Sequence, residues 1–254
     1  IVGHAGDDRI DGWIGDDTVI VKGAVADYSI DVLGRGKAVI AGPGIGTDRL
    51  ENVERVVFDD YVLFLDGRNN APVGVPDAVT LTEDAPLTLA DADLLANDAD
   101  PDGDAISVTG VSSAEIAISR TDAGVIVIDP AGAFESLAEG QSATVTADYA
   151  TVDALGAAGT GTLEITVTGV NDAPEAVDDA AETVEQTPVS GDLLANDTDP
   201  DDGAVLAVSA VEGNPASVGV EIVLASGAAV TVSADGTFVF DAGGDFDDLT
   251  TGQS

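Results

Sequence analysis

A chain of 254 residues with 48 acidic and 8 basic side chains carries a formal charge of −40, so nucleic acid and anionic membrane surfaces are excluded as partners and cations are favoured. Hydrophobic residues make up 44%, too many for a disordered acidic tail, and the absence of Cys rules out a disulfide scaffold. The apolar set is rich in Ala, Val, Leu and Ile with few aromatics, a composition suited to thin β-sandwiches.

The first predicted element is a repeat. GHAGDDRID (Gly3 to Asp11) is followed by GWIGDDTVI (Gly12 to Ile20), in which Gly6, Asp8 and Ile10 correspond to Gly15, Asp17 and Val19. Tight turns of this glycine–aspartate pattern place carboxylates and carbonyls around calcium. Residues 21–68 read as a β-rich flanking segment. They hold six of the eight basic residues; Arg9 and Arg120 are the others, and residues 121–254 carry 25 acidic groups and no Lys or Arg.

A sandwich-sized unit follows over residues 71–171. It contains DLLANDADPDGD (Asp93 to Asp104), which returns as DLLANDTDPDDG (Asp192 to Gly203) 99 residues later. If extended, the first copy sets Asp98, Asp100, Asp102 and Asp104 on one face ~6.6 Å apart, each neighbouring pair repelling by roughly 0.6 kcal/mol in water and ~2.5 kcal/mol at an effective dielectric near 20. Such a cluster calls for a counter-ion, and oxygen donors without His or Cys select calcium. Asp-Pro-Asp-Gly alone would suit an ordinary surface turn. DxDxDG also opens an EF-hand, but Thr109 stands where the closing Glu belongs and the flanks alternate like strands. In the second copy the carboxylates are Asp197, Asp199, Asp201 and Asp202, with glycine one place late, so its geometry is expected to depart from the first.

TVTADYATV puts Val145, Ala147, Tyr149 and Thr151 on one face, and TLEITVTGV does the same for Leu163, Ile165 and Val167. VNDAP (Val170 to Pro174), echoed by NNAP (Asn69 to Pro72), marks short stiff joints. In the second repeat, residues 174–254, AVTVSADGTFVFD reads as a hairpin turning at Asp235-Gly236. FDDLTTGQS (Phe246 to Ser254) matches FESLAEGQS (Phe134 to Ser142), after which the first repeat adds two strands; the second repeat is expected to lack them within this chain. No apolar run approaches the ~18 residues of a membrane span, and no charged-then-apolar leader is read.

These motifs carry a resemblance. Residues 1–20 resemble the end of an RTX β-roll, and residues 28–67 (YSIDVLGRG, GTDRLENVERVVFDD, LDG) resemble the segment that follows such rolls in secreted RTX proteins. Residues 71–254 resemble the cadherin-like and VCBS-type tandem repeats of very large bacterial surface adhesins, which carry LLANDxDPDGD and end in VTGVNDAP. The resemblance implies an all-β fold of tandem Ig/cadherin-like β-sandwich repeats preceded by the end of a parallel β-roll. It also implies type I secretion to the extracellular space or cell surface, rigidity from bound Ca2+, and attachment or biofilm formation. The expected partners are calcium ions, neighbouring repeats of the same chain and cell-surface or matrix polymers. By analogy with rolls, Asp8 and Asp17 each supply half a calcium site whose partner lies upstream of Ile1. By analogy with cadherin joints, Glu83 and Glu185 complete an interdomain site with Asn171 and Asp172.

Other readings are weaker. A lone His4 and no Cys exclude histidine-based zinc proteases and Cys–His nucleophiles, and no aromatic-lined cleft is indicated for glycoside chemistry, so the chain is not read as an enzyme. The alternative is that the repeats serve as an accessory calcium-binding module of a secreted enzyme whose catalytic domain lies outside this chain. A carbohydrate-binding module would need an exposed aromatic platform, hard to assemble from ten aromatics.

Overall fold

The computed structural model describes residues 5–130, 132–184 and 187–243. It divides into two compact units, one of residues 1–134 with 142–168, the other of residues 135–141 with 169–254. The architecture is all-β. Among the described residues no helix is long and apolar enough to cross a membrane.

The first unit opens with stacked coils. The two glycine-rich repeats form strands β1 (Arg9–Asp11) and β2 (Thr18–Ile20). A hairpin, β3 (Ser29–Gly34) and β4 (Lys37–Gly42), precedes β5 (Gly46–Glu51), β6 (Arg55–Val57) and β7 (Val62–Phe64). β5 pairs in parallel with β1, Ile10 opposite Leu50; β6 pairs in parallel with β2, Val19 opposite Val56. These four side chains are buried in one core with Ile40, Val53 and Leu63. GIGTDRL (Gly44 to Leu50) is therefore a third copy of the repeat, with Gly46, Asp48 and Leu50 in the places of Gly6, Asp8 and Ile10.

The rest of the unit is a two-sheet sandwich. One sheet runs β10 (Ser107–Ser112), β13 (Ser142–Val152), β14 (Ala158–Thr168), β8 (Asp77–Thr82). The other runs β11 (Ala117–Arg120), β12 (Val125–Asp129), β9 (Leu87–Ala90), with helix α1 (Asp91–Leu94) after β9. The alternation read from sequence holds residue by residue: Val145, Ala147, Tyr149 and Thr151 are buried while Thr144, Thr146, Asp148 and Ala150 between and beside them are exposed or half-buried. β14 is antiparallel to β13 but parallel to β8, from Leu163 opposite Asp77 to Thr168 opposite Thr82.

Among its described residues the second unit forms one sheet, β15 (Val189–Asp192), β18 (Thr237–Asp241), β17 (Ala229–Val232), β16 (Ile222–Val223). The hairpin at Asp235-Gly236 forms as its turn signal requires, with Gly236 N–H donating to Ser233 O at 3.1 Å. FDDLTTGQS (Phe246 to Ser254) lies outside the described residues.

Candidate metal-binding loops

The first acidic loop is not extended. Gly103 N–H donates to Asp100 O at 3.0 Å, closing a turn that needs the left-handed φ of +79° at Gly103. Asp100 Oδ1 accepts from the N–H groups of Asp102 (2.8 Å) and Asp104 (3.3 Å). The turn rotates successive side chains apart, so the single carboxylate face expected of an extended loop does not form.

Asp98 faces inward. Its carboxylate accepts from Val75 N–H (2.7 Å) and lies 3.0 Å from the hydroxyl of buried Tyr149, which is also 3.0 Å from Asp77. One phenolic proton thus serves two carboxylates. Burial raises the pKa of both; the Tyr149 bond opposes this in each, and the Asp98 charge adds to the rise at Asp77. Asp77→Asn removes one of the two competing charges at constant shape. Without metal, we expect it to stabilise the first unit by about 1 kcal/mol, a gain of roughly 2–4 °C in the melting midpoint by scanning calorimetry.

Asp100 and Asp102 face the joint NNAP. A β-bridge between Val73 and Ala99 (2.8 and 3.2 Å) brings that joint beside the loop. Asn70, 1% exposed, grips Asp102 twice, through its backbone N–H (2.6 Å) and its Nδ2 (3.1 Å). Its remaining side-chain bonds go to Phe64, whose N–H donates to Asn70 Oδ1 (2.7 Å) and whose carbonyl accepts from Nδ2 (2.9 Å). Asn69 Nδ2 donates to buried Asp153 (2.7 Å), whose other oxygen accepts from Leu155 and Ala157 N–H at 2.8 and 2.9 Å. Tyr61 donates to Ala71 O (2.5 Å); its pKa is raised by burial, then by the charge on Asp100, with Asp102 and Asp153 adding. Three carboxylates therefore act on one hydroxyl.

Two oxygens of this cluster, Asp100 Oδ2 and Asn69 Oδ1, are buried without a hydrogen-bond partner. Burying such atoms costs about 1–3 kcal/mol each unless something else satisfies them. A donor set of carboxylates and an amide carbonyl, all oxygen, fits a calcium ion. Asp153 and Asn69 were missed in the sequence; the echo between NNAP and VNDAP was the available signal.

The second loop reproduces much of this wiring before its turn departs from that of the first. Val177 N–H donates to Asp197 (2.8 Å) as Val75 does to Asp98, and Asn196 Nδ2 reaches Val177 O (3.3 Å) as Asn97 reaches Val75 O (3.2 Å). Asp201 N–H donates to Asp199 (3.0 Å), and Asp172 N–H donates to Asp201 (3.1 Å) as Asn70 does to Asp102. Asp201 is 8% exposed and its Oδ1 is another buried oxygen without a hydrogen-bond partner. The copies part only beyond this point: the second turn closes from Ala204 N–H to Asp201 O (3.1 Å), and Asp202 is exposed.

In the coils, the neighbours of Asp8 and Asp17 come from downstream. Asp8 N–H donates to buried Asp48 (2.9 Å), and Asp17 N–H to Glu54 (2.7 Å). Asp48 has its pKa raised, first by burial, then by the charges of Asp8 and Asp7. Asp17 Oδ2 is buried without a hydrogen-bond partner. Glu83 is buried in the first unit, its N–H donating to Thr168 O (3.1 Å). Asn171 and Asp172 belong to the second unit, and Glu185 lies outside the described residues.

Residues 69–169 match the family described as a bacterial cadherin-like domain, and residues 171–252 the family described as a bacterial Ig domain. Together they mark an extracellular or surface repeat region of adhesion or stalk type, built from modules that are typically structural. Cadherin-like domains generally bind calcium and contact neighbouring repeats. No curated protein matches the chain. Among solved structures, the chain is similar to protocadherin gamma C5 domains EC1-3 (15% identity, TM-score 0.33, 88% of this chain and 69% of that one). It is also similar to the human desmocollin-1 ectodomain (15% identity, TM-score 0.31, 81% of this chain and 37% of that one). A third similar structure is a nucleoside hydrolase-related hypothetical protein from Saccharophagus degradans that is associated with carbohydrate metabolism (14% identity, TM-score 0.27). The chain spans 26% of the length of that protein, with 40% of itself aligned. At these scores the likenesses carry no argument about function.

Proposed function

We propose that the chain is a calcium-binding stalk segment of a large secreted or cell-surface bacterial adhesin, exported by type I secretion and serving attachment and biofilm formation. The observation that carries this reading is the all-oxygen cluster at the first joint, where buried oxygens of Asp100 and Asn69 lack a hydrogen-bond partner beside Asp102 and Asp153. Asp100, Asp102, Asp153 and the Asn69 carbonyl would hold one ion, with Asp98 and Asp104 flanking it. Asp199, Asp201 and Asp172 would serve the second loop, with Asp197 and Asp202 flanking. Asp8 and Asp17 would act with Asp48 and Glu54 of the stacked coil. Bound calcium supplies charge neutralisation; the chain's own residues place the oxygens and lock the joint to the loop.

For a site with a dissociation constant near 10⁻⁵ M, millimolar calcium stabilises the folded unit by about 2.7 kcal/mol, enough to decide the folding of a marginal domain. Isothermal titration of calcium into the chelated chain is expected to show uptake by the first unit, accompanied by a rise in its melting midpoint. No heat of binding and a midpoint shift of about a degree or less would overturn the reading.

A further inference from the structure

Asn70 stands between the stacked coils and the first acidic loop, and its side chain serves both. β7 is an edge strand, whose outer N–H and C=O groups would otherwise lack a neighbour. The Asn70 amide fills that place: Oδ1 accepts from Phe64 N–H at 2.7 Å, and Nδ2 donates to Phe64 O at 2.9 Å. The second Nδ2 hydrogen and the Asn70 backbone N–H both go to Asp102, at 3.1 and 2.6 Å. Every hydrogen-bonding group of this buried side chain is committed to one partner or the other.

From Phe64 the contacts continue into the coil. Phe64 lies opposite Arg55, Leu65 N–H donates to Glu54 O at 2.8 Å, and Glu54 accepts from Asp17 N–H at 2.7 Å. Asp17 O in turn accepts from the N–H groups of Glu54 and Arg55, at 3.2 and 3.3 Å. Asp102, Asn70, Phe64, Leu65, Glu54 and Asp17 thus form an unbroken series. Each end carries buried oxygens without a hydrogen-bond partner: Asp100 Oδ2 and Asn69 Oδ1 at the joint, Asp17 Oδ2 in the coil. Two more contacts hold residues 61–73 between coil and loop. Tyr61 donates to Ala71 O, and Val73 packs on the coil core while bridging to Ala99. Charge opposes this docking, because Asp100, Asp102 and Asp153 crowd the Tyr61 hydroxyl.

We infer that Asn70 couples the coil to the joint, so that calcium held at either raises the affinity at the other. The inference rests on the calcium-binding reading above and adds its regulation. With the joint carboxylates neutralised, Asp102 keeps its grip on Asn70, and Asn70 holds the edge of β7 from which Glu54 is hung. With Asp17 and Glu54 neutralised, the same contacts present Asn70 to Asp102. The element with two arrangements is segment 61–73, either docked between coil and loop or released from the loop. Linkage requires the two effects to be equal in size. Coil and sandwich then stiffen together over a narrow range of calcium concentration.

Calcium titration of the chelated full chain, followed by amide NMR, reads each end separately: the Asp102 and Asp104 N–H groups report the joint, those of Asp17 and Glu54 the coil. Asp17→Asn with Glu54→Gln is expected to move the joint midpoint to calcium concentrations at least roughly fivefold higher. Asp100→Asn with Asp153→Asn should move the coil midpoint by the same factor, and in an Asn70→Ala background neither shift should occur. Midpoints that ignore the distant substitutions, or that shift equally with and without Asn70, would overturn the inference. Should Asn70→Ala not fold, hydrogen exchange decides: with the coil charges removed, calcium is expected to slow the β6 and β7 amides by at least roughly fivefold, and unchanged exchange overturns the coupling. If no resonance of any form responds to calcium, the calcium reading fails by itself. The coupling is then read in chelator, where Val56→Ala in the coil core is expected to speed exchange of the Val73 and Ala99 amides; no acceleration would overturn it.

Discussion

Gly161→Val is expected to unfold the sandwich of the first unit at ordinary temperature. Gly161 lies directly opposite Tyr149 across β13 and β14, and a Cβ at this position would fall within the Tyr149 ring. The ring cannot swing aside cheaply: it is 1% exposed, and its hydroxyl lies within 3.0 to 3.3 Å of Asp77, Asp98 and Leu94 O. Displacing it amounts to losing a buried aromatic, about 3–5 kcal/mol, to which the stranded carboxylates add. Against a total stability of about 5–15 kcal/mol this is disabling. Denaturant titration checks it, and Tyr149→Ala should render Gly161→Ala nearly harmless, a coupling visible in a double-mutant cycle. A Gly161→Val chain as stable as the parent would show that the ring does not lie over this glycine.

Asp100→Asn combined with Asp153→Asn is expected to abolish the calcium-dependent gain of the first unit and to leave its calcium-free stability equal or higher. The two substitutions preserve shape but remove two of the three charges that act on Tyr61. The predicted gain, about 2.7 kcal/mol for a site near 10⁻⁵ M at millimolar calcium, corresponds to roughly 5–10 °C in the midpoint. Equal calcium responses in parent and variant would place the ion elsewhere, and the second loop, with Asp199 and Asp201, would be the next pair to neutralise.

Much of this organisation was legible in the sequence. Long strands such as 142–152 and 158–168 alternate so regularly that a one-residue slip would bury threonines and expose valines, which fixes their faces. The acidic loops and their joints announced themselves by repetition, and repeated residues produced repeated hydrogen bonds even where the spacing of glycine differed. What escaped was long-range. The third glycine–aspartate copy at Gly46 is separated from the first two by an inserted hairpin, so no short period reveals it. Asp98 appeared to belong with its neighbours, but its partner Tyr149 stands 51 residues away, and Asn69 meets Asp153 across 84. Only the closing of the sandwich decides which carboxylates share a site.

The parallel pairing of β8 with β14 bears on mechanical load. The chain enters the first sandwich near β8 and leaves it from β14, and six residue pairs, from Asp77–Leu163 to Thr82–Thr168, join the two. Tension drawn along the chain pulls these strands in opposite directions along their length, so the ladder is sheared as a whole and its bonds must fail together. An antiparallel pair tugged from one end would instead unzip bond by bond. A module wired in this way holds its length under traction.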